Sequence, residues 1–152
     1  MLVNINSQNP DARKIAQAVD VLSKGGVIII PTDTIYALAC DLYHYKAFEK
    51  ICRMKDVRPD KANFSLLCND LSNISHFTRP FDRSIYKLLN RALPGPYTFI
   101  LDASSEVPSV FRSRKKTIGL RIPNNKIVLD LIEKLGHPLV VTSIHDIDEI
   151  KG

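Results

Sequence analysis

Apolar positions recur at helical spacing in four stretches of the chain and form continuous or alternating runs in five others. Ala12, Ile15, Ala16, Val19 and Leu22 share one helical face. Asn9 is the expected cap of this helix and Pro10 its first position. Gly25-Gly26 ends it, because glycine enters the left-handed region without strain. Val27 to Ile30 is a continuous β-branched run, which reads as a strand buried on both faces and closed by Pro31. Ala47, Phe48, Ile51 and Cys52 mark a second helix, and Phe64 to Cys68 a second strand. Ile85, Leu88, Leu89 and Ala92 mark a third helix, stopped by Pro94-Gly95-Pro96. Strands come next at Tyr97 to Leu101 and Thr117 to Ile122. Ile127, Val128, Leu131, Ile132 and Leu135 form a last helical face ended by Gly136, and Leu139 to Thr142 a last strand. Helices alternating with strands predict an α/β fold. The tight proline turn and closely spaced later strands predict some antiparallel pairing. The expectation is a single domain over residues 1–152, with a twisted mixed sheet and flanking helices.

Composition narrows the class. Apolar residues make up 45% of the 152 positions and charged residues 24%, as in an ordinary globular domain. The longest apolar run is far too short to span a bilayer. Met1 to Ile5 lacks the basic and apolar pattern of a secretory signal, so a cytoplasmic location is the default expectation. Cys40, Cys52 and Cys68 are odd in number and fit no zinc template, so they read as reduced core thiols. The formal net charge of +5 favours anionic partners such as nucleotides or RNA.

No GxxxxGK[ST] or GxGxxG phosphate loop exists, and the four histidines are too scattered to suggest a metal cluster. The densest polar segment is Pro31-Thr32-Asp33-Thr34-Ile35-Tyr36, directly behind the first strand. Strand ends in α/β sheets are where ligands bind. The segment also reads as a turn whose hydroxyls satisfy their own backbone. Arg53, Lys55, Arg58 and Lys61 lie on or beyond a helix end, where cations complement the dipole or clamp a phosphate. Arg112, Arg114, Lys115 and Lys116 precede the Thr117 strand and read as a solvated loop or an RNA-facing patch. Arg121 lies inside an apolar strand, where a buried arginine needs an anionic partner.

Taken in order, these pieces resemble the YrdC/YciO family, which includes threonylcarbamoyl-AMP synthases. Gly25 to Leu38 resembles its strand and first binding loop. Lys55, 23 residues after Thr32, matches its catalytic-lysine spacing. Leu93 to Phe99 resembles its Pro-Gly-Pro-x-Thr turn, Thr117 to Pro123 its arginine-bearing strand, and Pro138 to Ser143 the segment ending in Ser-x-Asn. The resemblance implies a YrdC/RibB-like sheet around a central concave cavity. It also implies use of ATP, L-threonine and bicarbonate, with magnesium, to make threonylcarbamoyl-AMP and pyrophosphate for modification of adenosine 37 in tRNA. Duplex RNA is a further implied partner. On this pattern Lys55 and Arg58 meet the phosphates and carry catalysis, and Thr32, Thr34 and Tyr36 bind substrate, with threonine at Thr32 and Tyr36. Ser143 meets the nucleotide, and Thr117 and Arg121 line the same cavity.

Departures from the synthases point to the YciO branch. Lys55-Asp56-Val57-Arg58-Pro59 is one residue longer than the synthases' Lys-x-Arg-Pro. One residue inserted at a helix end turns the residues beyond it by about 100°. Ala37 replaces the usual glycine, and His145 stands at the Ser-x-Asn asparagine. The chain ends at Gly152, short of the segment that continues beyond this region in the family. The reading is therefore a YciO-type nucleotide-binding protein with doubtful synthase activity. The alternative is an RNA-binding module without synthase chemistry.

Overall fold

The computed structural model describes residues 9–33, 36–112 and 116–143. In chain order the elements are α1 (Ala12–Ser23), β1 (Ile28–Ile30), β2 (Ala37–Asp41), α2 (Tyr45–Met54), β3 (Ser65–Leu67), α3 (Leu71–Phe77), α4 (Arg83–Ala92), β4 (Phe99–Asp102), β5 (Thr117–Arg121), α5 (Lys126–Leu135) and β6 (Leu139–Ser143). Short 3₁₀ turns lie at Pro59–Lys61 and Ser109–Phe111. The strands form one six-stranded sheet in the order β1-β2-β6-β3-β5-β4. Only β3 and β5 run parallel among these neighbours, so the sheet is mixed, as the sequence implies.

Side chains alternate across each strand, and the two sheet faces carry separate cores. On the first face Leu38, Cys40, Leu66, Ile118, Leu120 and Val140 pack under α2, α3 and α4. Phe48, Phe64 and Phe111 meet there edge to face, with ring centroids 5.0–5.4 Å apart. On the second face Ala37, Ala39, Leu67, Leu139 and Val141 pack under α1 and α5.

The predicted inner face of α2, Ala47, Phe48, Ile51 and Cys52, is its buried set. Gly136 caps α5 at φ 92°, the left-handed stop expected of it. Four expectations need correction. The cap of α1 is Asp11, whose carboxylate accepts the Arg13 N–H at 2.8 Å; Asn9 and Pro10 precede the helix. The run Ile28–Ile30 is an edge strand among the described residues, with Ile29 63% exposed. The fully buried strand is β2, which the sequence reading merges into the loop. On α4 only Leu89 is buried, and Leu88 is 54% exposed. Helix α3, capped by Asp70, escapes a periodicity reading because it has only seven residues.

All three cysteines are buried and free. Burial, then the charge of Asp41, pushes the Cys40 thiol up to about 12, so it stays protonated and inert. No helix of the described residues is long and apolar enough to cross a membrane.

At the far end of β2, Asp41 is buried and locks that strand to the start of β6. His137 Nε2 lies 2.7 Å from its Oδ1, and the Tyr43 N–H donates to the same oxygen at 2.7 Å. The Tyr43 ring stands edge-on to His137 at 4.7 Å. Burial alone would raise the Asp41 pKa. The hydrogen bonds from His137 and Tyr43, with the nearby imidazoles of His137 and His44, outweigh burial and bring it below the ordinary 3.8. A depressed carboxyl stabilises the fold above its unfolded pKa and loses that contribution as pH falls through the folded value. Asp41→Asn is expected to cost about 1.5–3 kcal/mol at pH 7, the range for hydrogen bonds to a charged group. It should also flatten the loss of stability below about pH 4. Urea unfolding across a pH series checks this; parallel curves for parent and variant would refute it.

Candidate functional site

On β5, Ile118 and Leu120 face the first core, so Thr117, Gly119 and Arg121 face the other way. The register sets Gly119 beside Ile100 on β4 and Arg121 beside Leu67 on β3. Helices α1 and α5 do not reach this part of the sheet, and Ile100 is 74% exposed. Gly119 packs closely against its neighbours: a Cβ there would stand 3.1 Å from Thr98 Cγ2 and 3.6 Å from Ser65 Cβ. An open strip of sheet therefore runs along β4 and the start of β5, and Arg121 at the end of β5 is buried.

Strand directions bring Thr32, Tyr36, Lys55, Thr117 and Ser143 to one sheet end, while Arg121, level with Leu67, Leu139 and Asp41, lies at the other. Ile30 pairs with Ala37, and Ala37 with Ser143, so Thr32, Tyr36 and Ser143 lie at the same sheet end. Thr117, paired with Asp102, starts β5 at that end. Helix α2 follows β2 in the opposite direction and leads into β3, which delivers Lys55 there too. Thr32, Thr117 and Ser143 are half-buried, whereas Tyr36 is exposed. Thr34 and His145 lie outside the described residues.

The helix end explains why the four cations of this segment differ. Lys55 caps α2, and Asp56 takes a left-handed φ of 53°. The Asp56 N–H donates to the Arg53 carbonyl at 3.2 Å and the Val57 N–H to the Cys52 carbonyl at 3.0 Å. This paired closure reverses the chain and lays Val57 against the core. Lys55 is left 3% exposed, while Arg53, Arg58 and Lys61 are exposed. The added residue is therefore not helical, and the expected rotation of about 100° does not apply. Arg58 instead points outward and pairs with Asp60 at 2.9 Å.

Arg121 is 8% exposed. Its Nε donates to the Gly95 carbonyl at 2.9 Å, and its guanidinium forms an ion pair with Asp33. The Gly95 N–H in turn donates to the Ile122 carbonyl at 2.9 Å, which fixes the proline turn against β5. Burial lowers the Arg121 pKa, yet arginine remains charged at any physiological pH. Asp33 and the Gly95 carbonyl are the contributors that sequence reasoning missed. The signal for Asp33 was present, since a buried arginine calls for an anion.

Two of the four cations read as an RNA-facing patch, Arg112 and Lys116, are among the described residues. Arg112 is half-buried at the end of a 3₁₀ turn, and Lys116 is exposed at φ 58°. Arg114 and Lys115 lie outside the described residues.

Comparison with known proteins places this arrangement. A family model described as Sua5_yciO_yrdC, telomere recombination, matches residues 20–150. The chain is 44% identical to Escherichia coli K12 YciO over 141 residues, covering 92% of this chain and 68% of that protein. It is 33% identical over 134 residues to a Chromobacterium violaceum threonylcarbamoyl-AMP synthase, covering 88% of this chain and 69% of the other. The crystal structure of E. coli YciO superposes with a TM-score of 0.83 at 43% identity, covering 91% of this chain and 66% of that one. P. abyssi Sua5 complexed with L-threonine also reaches 0.83, at 25% identity, covering 93% of this chain and 42% of that one. The chain thus spans about two thirds of the length of E. coli YciO and less than half of Sua5.

The Arg121 geometry has a direct consequence for stability. Asp33→Ala removes the counter-ion of a buried cation and is expected to cost about 1–3 kcal/mol. Arg121→Met should cost less in the Asp33→Ala background than alone, since a pair was already broken. A double-mutant cycle by urea unfolding measures this; additive effects would dissolve the pair.

Proposed function

Because the chain belongs to the Sua5/YciO/YrdC family, we propose that it is a YciO-type relative of the threonylcarbamoyl-AMP synthases that binds an adenine nucleotide and L-threonine. The observation that carries this reading is Lys55, a buried lysine at the sheet end where Thr32, Thr117 and Ser143 gather. An ammonium at that sheet end can pair with an incoming phosphate through charge-assisted hydrogen bonds. In this reading Lys55 binds phosphate, Ser143 the nucleotide, and Thr32 and Tyr36 the amino acid. Arg121, already neutralised by Asp33, shapes the cavity wall with Thr117.

The synthase reaction joins the threonine amino group to bicarbonate, with loss of water, as a carbamate. A carbamate oxygen then displaces pyrophosphate from the α-phosphorus of ATP. The chain would contribute positioning and charge neutralisation. The described residues contain no group of three metal-ligating side chains. In this reading magnesium enters with the triphosphate and screens its charge.

Turnover is expected to be slow. Arg58 must leave Asp60 before it can reach a phosphate, and an error near 1 Å in a catalytic group can cost about a hundredfold. Pyrophosphate release from ATP, threonine and bicarbonate measures it; a rate equal to that of an ordinary synthase assayed alongside would reject this expectation. Binding is tested separately by calorimetric titration with ATP, with and without L-threonine. Lys55→Met retains the aliphatic stem in its buried site and is expected to weaken ATP binding by about 1.5–3 kcal/mol. An unchanged dissociation constant in a folded variant would remove Lys55 from the site. Failure of the parent itself to bind ATP would sink the reading as a whole.

A further inference from the structure

Helix α4 turns a row of cations away from the sheet. At about 100° per residue, Ile85 and Leu89, which pack on the first core, stand opposite Arg83, Lys87 and Arg91. All three cations are exposed. The rise of the helix sets them about 6 Å apart. Like charges at this spacing repel, and the helix contains no acidic residue to relieve them. Elsewhere the chain does compensate: Lys24 pairs with Asp20 on α1 at 3.0 Å, and Lys126 with Asp130 on α5 at 3.4 Å. Among the described residues Arg79, Arg83, Lys87 and Arg91 take part in no ion pair. The row destabilises the helix that carries it and calls for negative charge from outside.

Two exposed apolar side chains flank the row. Tyr86, 48% exposed, lies about 100° to one side of its centre, and Leu88, 54% exposed, about 100° to the other. Tyr86 also lines a groove of about 550 Å³ with Arg79, Pro80, Phe81 and Arg83. Asp82 borders the groove as well, but its carboxylate is committed to capping α4. It accepts from the Ser84 hydroxyl at 2.6 Å and the Ile85 N–H at 3.1 Å. The groove thus combines apolar walls with two cations. Tyrosine and arginine are the residues that dominate protein–protein contacts. Carboxylates one turn apart on a partner helix share the pitch of about 6 Å, so a helix laid along α4 sets one against each cation. A membrane would have to bury the row together with Tyr86 and Leu88, because the row lies between them. A nucleic-acid strand stacks on rings and has no aliphatic group to set on Leu88.

We propose that the outward face of α4 docks an acidic amphipathic helix of a partner protein. Its carboxylates lie along Arg83, Lys87 and Arg91, and one apolar side chain enters the groove beside Tyr86. A helix of 10 residues is about 15 Å long and 10–12 Å wide, well below the area of a stable interface, about 800 Å² per partner. The complex is therefore transient and steered by charge. It is independent of the nucleotide reading.

The test is fluorescence anisotropy with a labelled peptide of about fifteen residues, near the shortest length that holds a helix in water. The peptide carries a glutamate on each of three successive turns and a leucine beside them. The protein variant replaces Arg83, Lys87 and Arg91 together by Gln, which preserves helix propensity. Peptide affinity is expected to fall at least about tenfold at low salt, and what remains should depend less on salt. The Tm of the variant should be unchanged or higher, because the repulsions are gone. Lys87→Gln alone should give a smaller loss in the same direction. Tyr86→Ser in the protein, and serine for leucine in the peptide, should each weaken binding several-fold. Parental affinity in the folded triple variant overturns the proposal, as does a parent that does not bind the peptide saturably. Equal binding of a peptide with the same residues in scrambled order, or no loss from either serine change, reduces the surface to a plain polyanion patch and also overturns it. So does tighter binding of single-stranded RNA of equal charge, or of phosphatidylserine vesicles, that the triple variant abolishes. ATP calorimetry on the triple variant should match the parent, so the surface and the nucleotide site stand or fall separately.

Discussion

Six strands at about 4.8 Å spacing make a sheet about 24 Å wide, and helices packed side by side cover about 8–10 Å each. Three helices suffice for the first face, where α2, α3 and α4 share one core. The second face has only α1 and α5, which settle over β1, β2, β6 and β3. Width alone then leaves β4 and β5 without a helix on that side, and loops bearing Asp33 and Gly95 close over Arg121 at the end of β5. Their residues answer to a different constraint from the core: Thr117, Gly119 and Arg121 on one strand, Ile100 and Asp102 on the next. A hydroxyl, a bare backbone and a cation on a sheet face are costly if sealed from water, but suited to contact with a polar ligand.

The cation on this face organises the loops around it. Arg121 is buried, so its charge must be met nearby. Gly95 meets one nitrogen through its carbonyl and Asp33 meets the guanidinium from another loop. One side chain thus ties the proline turn, β5 and the segment after β1 together. Thr32 is placed as a consequence, since it precedes Asp33 directly. The Phe48, Phe64 and Phe111 triangle acts similarly on the opposite face, where it anchors the segments leading into β3 and β5.

Legibility in the sequence tracks which forces are local. Helices with strong periodicity, α2 and α5, were legible down to their buried residues, because 3.6-residue spacing is a local signal. β2 was not, because Ala37-Leu38-Ala39-Cys40-Asp41 is poor in β-formers and becomes a strand only through pairing on both sides. β1 misled in the other direction: a continuous apolar run looks doubly buried, yet strand position in the sheet is set by topology. In the site, Thr32, Lys55, Thr117, Arg121 and Ser143 were legible as candidates, through family resemblance more than local chemistry. That Thr32, Lys55, Thr117 and Ser143 reach one sheet end and Arg121 the other was not, because it depends on strand order and direction.

The segment from Arg53 to Lys61 shows how small a local event decides chemical character. Four cations within nine residues look equivalent as text. A single left-handed residue, Asp56, closes the helix and reverses the chain. Lys55, just before the reversal, is carried into the interior, and Arg58, just after it, is released to solvent and to Asp60. Val57 pins the turn by packing against the core. The extra residue relative to the Lys-x-Arg-Pro pattern is thus absorbed by the turn and leaves the helix phase unchanged. Its effect is on the path from a buried lysine to an exposed arginine. A phosphate held at Lys55 would meet Arg58 only if the arginine gave up Asp60, an exchange that places the difference from a synthase in side-chain reach rather than in fold.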